Sequence, residues 1–554
     1  MDDHHKMGFL GATSYVIGNI IGSGIFITPA SILRATDSVG ISLLIWVICA
    51  LIAFLGALCY IELGTSIREA GCDFAYICYV KWYSIAFSFM WVSVLMTYPA
   101  TIAIVAETFG QYLLEGIRQY TEVNEEYIPI IQKLLGFSLL WLVTWMNFFE
   151  LNTFAARFQI IVTIAKLLSC ALIILTGMYY FFVEGWRGAL SDPFTSEAKY
   201  TSGSLVVGFY GGLYAYSGWD VLNYSTGEIS RPRRNVPLAL LTGIGVVTII
   251  YFFINLSFFA VLDATTIKET NAVAAVFSEK TLGSFSYFIP FLIGILLLGS
   301  LNSNLFSASR YMYAAAKQGH LPACFSCVNL ETDSPRVAIF AQTALAIGIS
   351  FIGDLDALIN YVMFGFWAQR IFTLIALLVI RFKQIPVHPE CIRVPSWCII
   401  LFLIINVILV IIPIFQEFHV AALGIGICVV GFGFYFILIY PTNLPRWMHI
   451  VNRQSTFYAA IAFDALPDLK TLPLMPLVAS DSQQQLLIAS KRPSFSLASE
   501  DSVPDLHSDE KNLKLIRNSS SSGLLRMCLE QIPPNVPDIL GRIKIKNVSN
   551  LPFS

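Results

Sequence analysis

Two short stretches carry the residue types from which a ligand site could be built out of backbone alone. They are Gly22-Ser23-Gly24-Ile25-Phe26 and Tyr214-Ala215-Tyr216-Ser217-Gly218-Trp219, each interrupting a long apolar run. Gly22, Gly24 and Gly218 admit backbone angles that other residues avoid, so a helix can unwind there and leave N–H and C=O groups without intrahelical partners. In hydrocarbon each such group costs several kcal/mol unless a ligand or water answers it. A zwitterion answers both kinds. The amides of Ser23, Gly24 and Ile25, at the positive end of the half-helix that follows, suit an α-carboxylate, and the carbonyls of Ile20, Ile21, Tyr214 and Ala215 suit an α-ammonium. One glycine pair could serve close helix packing alone. Two interruptions at corresponding places in two halves of a chain are instead what a transporter with inverted repeats requires.

Four titratable residues lie inside apolar runs away from an obvious edge: Glu62, Lys166, Asp220 and Arg370. Intramembrane charge is rare and points to function by default. Asp220 stands eleven residues before Arg231, and Arg370 eleven before Arg381. At ~1.5 Å per residue each is ~16 Å from the inner edge of a ~30 Å core, near its midplane. The two are expected to face each other, water or substrate, and to set which side-chain charges are accepted; a purely structural ion pair is the alternative. Glu62, close to a run's end, is expected to pair with a basic loop residue. No His lies at mid-run and no nucleophile accompanies a base, so the sequence offers no enzyme. Cys324 and Cys327 have CxxC spacing, but no second pair or His cluster completes a metal site. Neither a metal nor any other cofactor is expected.

The elements that must hold these residues are apolar helices. Of 554 residues, 56% are hydrophobic and 13% charged, and runs of ~20 apolar residues recur from Leu10 almost to Tyr440. The bilayer is therefore the solvent, and a net charge of -2 without a basic stripe gives no reason to expect nucleic acid. The predicted spans are 10–34, 41–66, 82–108, 132–149, 158–182, 203–226, 237–262, 284–313, 337–353, 356–380, 396–415 and 419–440. Twelve spans put both termini on one side. With that side cytosolic, thirteen Lys and Arg fall on inner connections and seven on outer ones, as the positive-inside rule favours. Residues 1–9 form a cytosolic N-terminus ahead of a retained first span. Residues 10–440 form the transporter domain. Residues 441–554, rich in Ser and Pro, read as a disordered cytosolic tail on which cytosolic proteins could dock.

Val16 to Phe26, Glu62-Leu63-Gly64, Gly218-Trp219, Leu301 to Arg310 and Gly319-His320-Leu321-Pro322 resemble, in order and spacing, the L-type amino-acid transporters. These are light chains of heteromeric transporters in the amino acid, polyamine and organocation superfamily. The resemblance covers residues 8 to 440. It implies an all-α polytopic membrane protein of twelve transmembrane helices, with leucine-transporter-like inverted five-helix repeats, broken helices 1 and 6, and alternating access. It implies a cell-membrane exchanger of L-amino acids, neutral and, from Ser217-Gly218-Trp219-Asp220, cationic as well. A coupled symporter, or a non-transporting sensor signalling through the tail, are the rival readings. By the same resemblance the carboxylate site falls on Ser23 and Gly24, the ammonium site on Ile20 and Tyr214, and Lys166 on the lysine that stands where sodium-driven relatives bind a cation. Tyr214 stands where the family often has a gating Phe, and Trp219 is expected to pack. Thr226-Gly227-Glu228 departs from the branch's usual paired acids. The stretch Gly110 to Gln132 lacks the cysteine that links family light chains to a glycoprotein heavy chain. A disulfide-linked partner is therefore not expected, and non-covalent association stays compatible with the sequence.

Overall fold

The computed structural model describes residues 8–67, 72–118, 124–148, 152–194, 201–224, 229–286, 288–329, 332, 334–416, 418–441 and 445–468. The expected features at 225–228, 1–7 and 469–554 lie outside those residues.

The described chain is a set of helices in the order α1 (Phe9–Ile20), α2 (Gly24–Thr36), α3 (Val39–Ser66) and α4 (Asp73–Tyr79). Then come α5 (Tyr83–Arg118), with a π-helical turn at Ser93–Thr97, α6 (Ile128–Phe148), α7 (Asn152–Phe182) and α8 (Ser202–Ala215). The second half has α9 (Pro232–Val261), α10 (Ala264–Glu269), α11 (Val273–Leu282), α12 (Phe288–Lys317), α13 (Arg336–Ile349), α14 (Leu355–Phe382), α15 (Ser396–Gln416), α16 (Phe418–Phe434) and α17 (Arg446–Phe463). Two two-residue strands, β1 (Cys327–Val328) and β2 (Leu466–Pro467), pair antiparallel. Among the described residues eight helices are long and apolar enough to cross a bilayer, and the bent pair α1 and α2 makes a ninth. Arg336–Ile349 and Ala421–Ile437 are apolar but shorter.

Apolar periodicity does not choose one face of these helices, because one side packs on neighbours and the other meets lipid. Leu51, Trp145, Leu175 and Phe382 are exposed on the outside, while Trp46, Tyr60, Tyr251, Phe258 and Trp367 fill the inside. Polar residues fix the helix starts. Asp354 accepts the Ala357 amide at 3.0 Å, and Thr201 and Ser204 form a reciprocal capping box at α8.

The chain stays ordered past the last apolar run. A helix follows at 446–463, and Leu466–Pro467 joins β1, so the expected tail from 441 onward begins with folded structure. Its docking reads in the contacts: Arg336 donates to the Phe463 and Phe148 carbonyls, both at 3.1 Å.

Candidate functional site

The first interruption is where the spacing placed it. α1 ends at Ile20, α2 starts at Gly24, and the two axes bend by 45°. The second comes after Ala215, where Tyr216 and Ser217 turn the chain and a short 3-10 helix resumes at Trp219–Tyr224. α2 packs along α8, so the two breaks meet.

The physical reason for the glycines is not the expected one. Neither Gly22 nor Gly24 has a positive φ, whereas Gly218 sits at φ 93°. Gly24 is required by contact: a Cβ there would lie 2.5 Å from Ala215 Cα, with backbone against backbone and no room for a methyl. Gly22 is open, and its nearest side chain is Ser300 on α12, 3.9 Å from where a Cβ would be. Only Gly218 uses the left-handed freedom of glycine, with its Cβ position 3.2 Å from the Asn19 carbonyl oxygen.

The amides of Ser23, Gly24 and Ile25 make no backbone hydrogen bond among the described residues, and Phe26 donates to the Ser23 carbonyl at 3.1 Å. Three N–H groups thus open α2, as an anion requires. Of the four carbonyls assigned to an ammonium, Tyr214 is committed to the turn, where it accepts the Ser217 amide at 3.0 Å. Ile20 and Ala215 both lie within reach of one phenol, that of Tyr251 on α9, at 2.8 and 3.0 Å. Tyr214 is buried beside Ser23, so a side chain of the second break stands next to the first.

Lys166, 3% exposed on α7, donates to the Gly18 carbonyl at 2.9 Å. That carbonyl belongs to the last turn of α1, whose partners the break removes, and it lies at the negative end of the helix. An ammonium there answers an orphan acceptor and the dipole together.

Asp220 and Arg370 meet at 3.1 Å, both buried. The guanidinium carbon stands 5.0 Å from the Trp219 ring centre, 4.9 Å from Trp367 and 5.8 Å from Phe366, a cage of faces that suits a cation. Its Nε has no hydrogen-bond partner among the described residues. Trp219 packs edge-on to Tyr60 at 5.0 Å. Beside this pair Asp73 accepts from Thr373 at 2.9 Å and from the Tyr60 hydroxyl. Among the described residues Cys72, Asp73 and Asp220 bring ligand atoms within 4.8 Å of one another. A guanidinium 3.1 Å from one of them and two hydroxyls on another make this a hydrogen-bonded ion cluster, with the wrong neighbouring charge for a second cation. Glu62 pairs with Arg381, as its place near the end of a run suggested.

Sequence reasoning missed Tyr251, Ser300, Asp73 and Asn223. Among the described residues Ser300 Oγ and both amide atoms of Asn223 are buried without partners, as groups that face a ligand can be. A cavity of about 560 Å³ lies elsewhere, between Phe9, Arg231, Arg234 and Leu238 at the far end of α1.

The match to known proteins spans this whole arrangement. A family model described as amino acid permease covers residues 7–463. Amino acid transporter protein 6 of Caenorhabditis elegans is 44% identical over 469 residues, which is 84% of this chain and 89% of that protein. The human cystine/glutamate transporter is 32% identical over 463 residues, 84% of this chain and 91% of its own length. The mouse b(0,+)-type amino acid transporter 1 is 31% identical over 470 residues, with 84% and 94% covered. The chain belongs to the amino acid permease family, and it is a multi-pass membrane protein that transports amino acids rather than an enzyme.

Proposed function

We infer that this chain exchanges neutral and cationic amino acids across a cell membrane by alternating access, without sodium and with both termini cytosolic. The observation that carries the reading is the meeting of two broken helices with unanswered amides on one and under-supplied carbonyls on both. The backbone of an amino acid fits it: carboxylate on Ser23, Gly24 and Ile25, ammonium toward Ile20, Ile21 and Ala215. Lys166 supports independence from sodium, because its ammonium already supplies a fixed positive charge beside the break. Asp220 and Arg370 support selection by side-chain charge, since the pair holds one carboxylate and one cation that a charged substrate can compete for. The absence of cysteine between Gly110 and Gln132 supports a chain free of disulfide-linked partners.

Proteoliposomes loaded with labelled leucine or lysine test this. Efflux should require substrate outside and should be unchanged when sodium is replaced by choline. Efflux into substrate-free buffer would refute exchange, and a steep loss in choline would refute the role given to Lys166. Gly24→Val, whose side chain would collide with Ala215, should abolish uptake with protein still at the membrane. Near-normal uptake would remove the break from the substrate site.

A further inference from the structure

We propose that α17 lies in the plane of the membrane surface and binds anionic phospholipid headgroups along one edge. At 100° per residue, Trp447, Ile450, Val451, Phe457, Tyr458 and Ile461 fall in one stripe about 120° wide, and all six are exposed. The opposite face is packed: Asn452 accepts the Ala323 amide at 2.9 Å, and Phe463 lies against Phe340 and Phe148 with ring centres 5.3 and 6.1 Å away. Arg446, His449 and Arg453 line the edge between the two faces. Among the described residues the helix is therefore three-sided, with protein on one side, none against the mainly apolar side that Gln454 interrupts, and a basic border.

The position of α17 decides what covers the apolar side. Phe340 lies four residues into α13 from Arg336 and is itself exposed, so its contact with Phe463 sets the C-terminal end of α17 about 6 Å in from the start of that apolar helix. That is the depth at which an in-plane helix buries an apolar face and keeps its basic border at the headgroups. Trp447 and Tyr458 are the residue types that favour this zone. Arginines at that border are complementary to negatively charged lipid. The segment is also fastened to the transport helices. Lys317, at the end of α12, holds Asp468 at 2.5 Å, β2 pairs with β1, and Arg336 caps Phe463. α12 is the helix that carries Ser300 to Gly22, so lipid bound at α17 acts on a helix of the site.

The test uses the full chain in nanodiscs and proteoliposomes of phosphatidylcholine with and without phosphatidylserine. Brominated phosphatidylcholine should quench a fluorescence component that is lost in Trp447→Leu, and phosphatidylserine should raise uptake several-fold. Arg446→Gln with Arg453→Gln should remove the phosphatidylserine dependence, and the double lysine variant should keep it, which separates charge from folding. Absence of a Trp447 component in the quenching would place α17 outside the membrane surface and overturn the proposal. Quenching with equal uptake in both lipids, or the same dependence in the glutamine variant, would overturn the anionic part. A concentration-dependent dimer that hides Trp447 would assign the stripe to a second copy instead.

Discussion

Glu62 with Arg381 and Asp220 with Arg370 are carboxylate–guanidinium pairs whose arginines sit eleven residues apart on α14, the first with a buried carboxylate and a half-buried arginine and the second buried on both sides, yet they are satisfied to different degrees. Arg381 grips Glu62 with two nitrogens and also donates to Ser396 at 2.8 Å and to the Val394 carbonyl, while Glu62 takes the Val394 amide at 2.9 Å. Every arm of that pair is used, and it ties α3, α14 and the entry to α15 together. Among the described residues Arg370 makes one hydrogen bond, at 3.1 Å, leaves Nε without a partner, and rests on aromatic faces that hold a cation without fixing its direction. A saturated pair has nothing left to offer a ligand. An unsaturated buried one has, because its remaining donor is expensive to leave unmade.

The largest effect expected from this contrast is at Arg381. Arg381→Ala leaves Glu62 as an unpaired buried charge, a cost of ~3–5 kcal/mol, and monodisperse protein should be lost on size exclusion. Full recovery with an unshifted melting temperature would erase the distinction. Next is Asp220→Asn, which should lower lysine uptake about tenfold relative to leucine, equivalent to about 1.4 kcal/mol, with surface protein unchanged. An unchanged ratio would make that pair structural too. Smaller again is the effect of adding Arg370→Gln to that variant: the lysine-to-leucine ratio should stay within about a factor of two, because residues that select substrate do not rescue each other as a structural pair does. Recovery of both ratio and yield in the double variant would reverse the assignment. The smallest is Ser396→Ala, which removes one of several bonds on Arg381 and should cost ~1 kcal/mol or less in thermal stability, with uptake untouched.

What the sequence reveals here follows from how local the signal is. The breaks were legible because glycines interrupt apolar runs, and the meeting of Asp220 with Arg370 was among the expectations drawn from their equal counts to an inner arginine, although α8 ends at Ala215 and the count from Asp220 does not run along one helix. The reason for Gly24 was not legible, since the atom that excludes a side chain belongs to Ala215, in another helix. Tyr251 was invisible for the same cause: it is 231 residues from Ile20 and 36 from Ala215, and nothing in its own neighbourhood marks it. Asp73 drew no attention because it lies between two predicted runs, yet α4 folds back and buries it beside Arg370. α17 was lost by averaging, its stripe diluted in a composition taken over 441–554.

The hydroxyl of Tyr251 has a single hydrogen and two claimants, one from each broken helix, at nearly equal distances. Whichever way it turns, one carbonyl goes without that hydrogen. The two breaks thus share one donor, and on the proposed reading of the site an arriving amine, which brings three hydrogens of its own, serves both at once. Affinity for the amine would then be a property of a deadlock between two acceptors rather than of any side chain dedicated to it.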